Sequence, residues 1–433
     1  MRIASITAGA GGMYCGSCMK DNTLANALHA LGHECLLIPC YTPLRLDEPE
    51  AQATPIFLGG LTMYLQQQYG WLRSIPRFLA RWLASPWLLR KVSGSTVKID
   101  ATQLAPMTLS MLRGTHGYQQ SEVTRLVDWL AEHIKPDVIL LTNVLLSGII
   151  PALKQRLNVP IITTLQGDDI FLEELPIATR KDAIDLIRQN CVDAAGHLAT
   201  CRYYADFMAE YLGLPRDRIR VVYPGIELHH FATETTSVKR EVLNIGYLAR
   251  IAPEKGFHVL VEALGKLNQI KDVPHWQFQA AGYCAGYRKE YLEENRAKAQ
   301  QAGWGDRFHY VGEPDRAEKA RFLQNLDIFS VPTTYREPKG LYVLEAWACG
   351  VPVVQPAHGS FPELIEASQG GQLVPPNDTT ALAEGLAKLL RDEALRQRLG
   401  MSGRQSVQQK FSSEQMAQAT IKAINELTIN AHT

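Results

Sequence analysis

The feature that most limits how this chain can fold is a segment grammar that occurs twice. Residues 2–9 (RIASITAG) are an apolar run ending among Gly9, Gly11 and Gly12. Residues 21–33 (DNTLANALHALGH) place apolar side chains at helical spacing, and residues 34–40 (ECLLIPC) are a second apolar run. Strand, glycine loop, helix and strand make a parallel α/β unit, whose ligand site lies beyond the C-terminal ends of the strands. After a polar linker at residues 232–241 (ATETTSVKRE), the grammar restarts at residues 242–250 (VLNIGYLAR). Apolar runs at 276–284, 307–312 and 326–332 then supply a second doubly wound sheet. The expected fold class is α/β, two Rossmann-like doubly wound domains, and 433 residues are enough for both. Expected boundaries are 1–225, 226–410 and a C-terminal helix over 411–433, with Ser412 and Gln415 spaced as a capping box.

Hydrophobic content of 46% with 20% charged residues is globular. Net charge is zero, so no global attraction to nucleic acid or an anionic membrane is expected, and no nucleic-acid partner. The start, MRIASITAG, lacks a basic region followed by a long apolar stretch and reads as a first strand rather than a signal peptide. No apolar run reaches the ~18 residues of a membrane span. A soluble, cytoplasmic protein is the expectation.

Residues 64–92 change character, interleaving Trp71, Phe78, Trp82, Trp87 and Leu88 with Arg73, Arg77, Arg81, Arg90 and Lys91. Two readings stand. One is a helix lying in a membrane interface, which gives a peripheral contact at the inner face of the cell membrane. The other is an amphipathic insertion over the first domain's core, its arginines running along apolar surface.

The eight cysteines sit mostly in apolar contexts and read as buried thiols. Cys15 and Cys18 form a C-x-x-C, but no second pair or histidine cluster completes a zinc site; the pair is expected to shape a loop. A dinucleotide site fails two checks. The first loop's glycines are not spaced G-x-G-x-x-G, and the second strand ends in Cys40 and Tyr41 rather than an acid for a ribose.

The chemistry concentrates in residues 337–354 (EPKGLYVLEAWACGVPVV), where Glu337 and Glu345 have seven residues between them. A helix starting near Gly340 leaves the amides of Gly340, Leu341 and Tyr342 without intrahelical acceptors, at an end that favours an anion. The two carboxylates are then a solvated face and a capping pair, or they bracket a ligand with phosphate in the middle and hydroxyls at both ends. Arg250 and Lys255, across a turn ending in Gly256, offer a guanidinium fork and a compact ammonium that together neutralise a diphosphate.

Taken together, residues 246–256 (GYLARIAPEKG) and 337–354 resemble the C-terminal half of the retaining, two-domain group 1 glycosyltransferases, family 4 of the GT-B fold, and the likeness extends over nearly the whole chain. The resemblance implies two domains facing a cleft, with the tail helix crossing back to the first. It implies transfer of a sugar from a nucleotide-diphosphate donor to a glycosyl acceptor, with retained configuration. A lipid-linked or cell-surface glycan is the expected acceptor. In that reading Gly11 and Gly12 let the first loop approach the donor diphosphate, Arg250, Lys255, Gly340 and Leu341 act on the leaving group, and Gly282 and Tyr342 lie by the donor. Glu337 takes sugar hydroxyls and Glu345 the ribose. No Asp-x-Asp occurs, so metal-independent transfer without a cofactor is expected.

The chain departs from the family at several places. Gln166 stands where a histidine is usual, and glutamine does not titrate near neutral pH, so its expected role is to orient the sugar. The loop after Gly12 is about three residues longer than usual. One extra residue separates Pro332 from Glu337, and Lys339 replaces an aromatic position. The alternative these departures raise is a non-catalytic sugar-nucleotide-binding protein.

Overall fold

The structure, a computed structural model, describes residues 1–8, 16–40, 101–231 and 240–429. Gly11, Gly12, Cys15 and the 64–92 stretch lie outside the described residues. The chain divides into two compact units, Met1–Tyr223 with Met416–Thr433, and Pro224–Gln415.

The first unit is built on a parallel sheet of β1 (Arg2–Thr7), β2 (Glu34–Pro39), β3 (Val138–Leu141), β4 (Ile161–Leu165), β5 (Gly196–Ala199) and β6 (Ile219–Val221). Their spatial order is β2-β1-β3-β4-β5-β6. The strands read as continuous apolar runs because both faces are covered. Val138 and Leu140 point into one core with Leu24 and Leu28, whereas Ile139 and Leu141 point into the opposite core with Leu126, Ile187 and Met208. The C-terminal helix Ser413–Ile429 adds Met416, Ala417, Ile424 and Leu427 to the first of these cores. Its N-terminus is capped by Ser412, whose hydroxyl accepts the Gln415 N–H at 3.2 Å.

The helix after β1 spans Gly16–Ala30, starting one turn earlier than the 21–33 pattern indicated. Cys18, Asp21, Ala25 and Leu28 are all buried and recur at helical spacing, so the buried stripe extends back to Cys18. Cys18 is therefore a buried helical thiol rather than a loop residue. The six other described cysteines are also free, all buried except the half-buried Cys284.

The second unit carries β7 (Leu243–Leu248), β8 (Trp276–Ala281), β9 (Phe308–Tyr310), β10 (Ile328–Phe329), β11 (Val353–Pro356) and β12 (Gly371–Val374). The order is β12-β11-β10-β7-β8-β9, all pairs parallel. The chain winds outward from β7 through β8 to β9, then returns to β10 on the other side. The direction reverses between β7 and β10, and the crevice beyond their C-terminal ends is where an open α/β sheet binds ligands.

Candidate active site

The two strands flanking that reversal each feed one half of the site. After β7 comes residues 249–256. Gly256 there has φ +69°, and a Cβ on it would stand 1.7 Å from the Pro332 carbonyl oxygen. Only glycine lets this turn lie against the backbone that follows β10. That close approach delivers Lys255 to the Thr333–Gly340 turn. Its ammonium donates to Glu337 Oε2 at 2.8 Å and to the Tyr335 hydroxyl at 2.5 Å. The Tyr335 and Tyr342 ring centroids lie 4.8 and 5.5 Å from it.

Glu337 is buried, 3% exposed. Its Oε2 accepts from Lys255, from the Tyr335 hydroxyl and from the Tyr342 hydroxyl at 3.3 Å. Its Oε1 faces the backbone N–H groups of Lys339 at 3.1 Å and Gly340 at 3.5 Å. Burial alone would raise the Glu337 carboxyl, but the charges of Lys255 and Lys339 and the hydrogen bonds from Lys255 and Tyr335 outweigh it and hold the group at about 2. For Lys255, burial outweighs the attraction of Glu337 and lowers the ammonium from its ordinary value. Burial and the Glu337 charge push both tyrosines well above their ordinary value, so their hydroxyls stay protonated and able to donate.

Gly340 is the N-cap of the helix Leu341–Ala348, as the sequence indicated, with φ +65°. Its own N–H already faces Glu337, so the end offered to an anion is in part engaged within the turn. Glu345, on the third residue before the end of that helix, is buried, and Lys319 donates to its Oε1 at 2.7 Å. Arg250 is different: its side chain is 47% exposed and pairs with Glu254 at 3.3 Å, a surface contact that holds it weakly. Gly282 follows β8 with φ +132°, its N–H donating to the Gly312 carbonyl at 2.7 Å and its own carbonyl accepting from the Tyr310 hydroxyl at 2.7 Å.

The structure thus brings Lys255, Glu337, Gly340 and Tyr342 into one contact network and sets Arg250 four residues before Glu254 on the same turn. Gln166 belongs to the first unit, at the end of β4. Its side-chain amide donates to the Thr142 carbonyl, and Asp21 Oδ1 and Oδ2 are 3.4 Å away. Asp21, itself raised by burial against the opposing charge of Lys20 3.3 Å away, closes this polar cluster. Asp168 fixes the turn: its two carboxylate oxygens accept the Val144 N–H at 3.0 Å and the Gln166 N–H at 2.8 Å. Burial pushes that carboxyl up to about 6, against the pull of those two N–H groups.

Sequence reasoning missed Tyr335, Lys319, Asp21 and Asp168. Two of them had a signal. Lys319 and Asp21 each occupy a slot on a buried helical stripe, with Leu323 four residues after the first and Ala25 four after the second. Among the described residues no group of three His, Cys, Asp or Glu side chains is placed to hold a metal ion. No described helix is long and apolar enough to cross a membrane.

Two family models match the chain, Glycosyl transferases group 1 over residues 234–406 and Glycosyl transferase 4-like domain over residues 22–225. A putative colanic acid biosynthesis glycosyltransferase of Escherichia coli is 29% identical over 41% of this chain and 43% of its own. A phosphatidyl-myo-inositol mannosyltransferase of Mycobacterium leprae is 30% identical over 36% of this chain and 39% of its own. A D-inositol 3-phosphate glycosyltransferase of Corynebacterium jeikeium is 30% identical over 49% and 53%. The chain therefore spans about half the length, or less, of these curated relatives. Two solved structures share its fold: HepE of Anabaena in complex with UDP, with TM-score 0.69 and 17% identity over 98% of this chain and 100% of that one, and sucrose-phosphate synthase of Thermosynechococcus elongatus, with TM-score 0.70 and 20% identity over 99% and 100%.

Proposed function

We propose that this chain, matched over residues 234–406 by the Glycosyl transferases group 1 model and over residues 22–225 by the Glycosyl transferase 4-like domain model, is a group 1 glycosyltransferase that moves a glycosyl unit from a nucleotide-diphosphate sugar to a glycosyl acceptor. The observation that carries this reading is the meeting of Lys255 and Glu337 from the two strands that flank the sheet's reversal point. The chemical demand of such a transfer is to stabilise negative charge on the departing diphosphate, and fixed cations with helix-end amides suit it. Arg250, weakly held by Glu254, turns to the diphosphate. Lys255 supplies a buried charge, and the Gly340 and Leu341 amides complete the cradle. The Gly340 N–H is the longest contact on Glu337 Oε1, so a sugar hydroxyl takes its place there while that amide turns to phosphate. Glu345, oriented by Lys319, holds the ribose, with Gly282 and Tyr342 beside the donor. The reaction in this proposal retains configuration, as in family 4, and uses no metal. Gln166 orients the sugar and transfers no proton. HepE structures in complex with UDP and with UDP-glucose support a uridine donor as the first to try.

Relatives named for colanic acid and amylovoran biosynthesis, and for phosphatidyl-myo-inositol, support an acceptor that is a cell-surface or lipid-linked glycan, met at the cytoplasmic face of the membrane. A contact through residues 64–92 belongs to the same proposal. The test is incubation with UDP-, GDP- and ADP-sugars and acceptor extracts, read by mass spectrometry of the products. Sugar transfer from one donor is expected. Tight nucleotide-sugar binding with no turnover against any extract contradicts it and favours a binding protein.

A further inference from the structure

We infer that Tyr335 is a positioning residue for this transfer: its hydroxyl, accepting from Lys255 and donating to Glu337, fixes where Lys255 presents its charge to the donor diphosphate. This rests on the proposed contact between Lys255 and the diphosphate.

An ammonium has three N–H donors and no preferred direction of its own, and a lysine stem is flexible. Here two donors are committed, to Glu337 Oε2 at 2.8 Å and to the Tyr335 hydroxyl at 2.5 Å. The Tyr335 hydroxyl also donates to the same Glu337 oxygen, closing a three-membered ring of contacts. Because that hydroxyl must donate to a carboxylate, its lone pairs face the ammonium, and the ring has one sense only. The Tyr335 ring centroid lies 4.8 Å from Nζ, with the ammonium off the ring's hydroxyl edge, where the hydroxyl accepts it. With the ring closed, the remaining N–H of Lys255 has a fixed direction.

The groups facing Lys255 are Tyr335, Glu337 and Lys339 of the turn, Tyr342 of the following helix and Arg250 of its own loop, itself paired with Glu254. Lys339 and Arg250 disfavour its charge, Glu337 favours it, and burial works against it. Removing the Tyr335 hydroxyl takes away one acceptor of the ammonium, so Lys255 loses its proton at lower pH.

The test is calorimetric binding of UDP, GDP and ADP between pH 7 and 10 to the full chain and to Tyr335→Phe, Tyr342→Phe and Lys255→Met. Wild type should bind at least one of the three, with affinity falling at alkaline pH. Tyr335→Phe should weaken that binding about tenfold and move the alkaline fall about one pH unit lower. Tyr342→Phe, which removes the longer contact, should do the same by less. Lys255→Met should weaken binding further and abolish the alkaline fall. Binding of all three nucleotides unchanged in Lys255→Met, or no binding by wild type, overturns the underlying diphosphate contact. Weakened binding in Lys255→Met together with an unmoved alkaline fall in both tyrosine variants overturns the positioning role alone. A lower melting temperature in Tyr335→Phe with an unmoved profile marks a merely structural tyrosine and also overturns it.

Discussion

Lys255 Nζ lies 2.8 Å from Glu337 Oε2, a buried ion pair between residues 82 apart in the chain that joins the loops after β7 and β10. It brings the two sides of the reversal point together, and each partner needs the other. Removing one leaves a buried charge uncompensated, at a cost of about 3–5 kcal/mol. Lys255→Met and Glu337→Gln should each lose stability on that scale in urea unfolding, and the double variant should lose clearly less than their sum. Additive losses would show that the two groups are energetically independent.

The pair also sets an acid dependence. Glu337 is held at about 2 in the folded chain, below its ordinary 4.5, so the unfolded chain binds more protons between those values. Its contribution of about 3 kcal/mol is complete above pH 4.5 and is lost as pH falls towards 2. Glu337→Gln should flatten that part of the stability profile. An unchanged acid limb would remove Glu337 as its source.

Asp168 acts with the opposite sign. Its carboxyl is pushed up to about 6 from 3.8, so the folded chain holds the proton longer, and stability should fall by about 3 kcal/mol as pH rises from about 4 to about 6. Asp168→Asn should shrink the difference in unfolding free energy between pH 4 and pH 7 by that amount. If activity has a basic limb near pH 6, it should survive Gln166→Ala and vanish in Asp168→Asn, because glutamine does not titrate and Asp168 holds the Gln166 N–H at 2.8 Å. A limb that vanishes in Gln166→Ala and survives in Asp168→Asn contradicts the assignment.

Gly256→Ala tests the close approach that delivers Lys255. A left-handed non-glycine residue costs about 1–2 kcal/mol, and the added Cβ meets the Pro332 carbonyl at 1.7 Å. The variant should lose more stability than strain alone and should weaken nucleotide binding. Wild-type binding in a folded variant would show that the turn does not place Lys255.

Both sheets were legible because parallel strands buried on two faces leave unbroken apolar runs, whereas the reversal between β7 and β10 emerged only with the strand order. Lys255, Gly340 and Glu345 stood out for their types and spacing. The partners were hidden. Tyr335 looks like a solvated turn residue and is revealed only by a contact 80 residues long, while Lys319 sits on a buried helical stripe but meets its partner only through a contact 26 residues long. No periodicity encodes such contacts. Arg250 was singled out beside Lys255, yet one is exposed against Glu254 and the other buried on Glu337, a difference set by the Gly256 turn rather than by residue type.

In the proposed transfer Lys255 stabilises the departing diphosphate. The most direct measurement is the rate at which a folded Lys255→Ala variant, checked by circular dichroism, releases nucleoside diphosphate from the sugar donor that wild type uses. A fall of about 100- to 1,000-fold is predicted, the scale of a lost charge-stabilising donor. An undiminished rate would contradict the account.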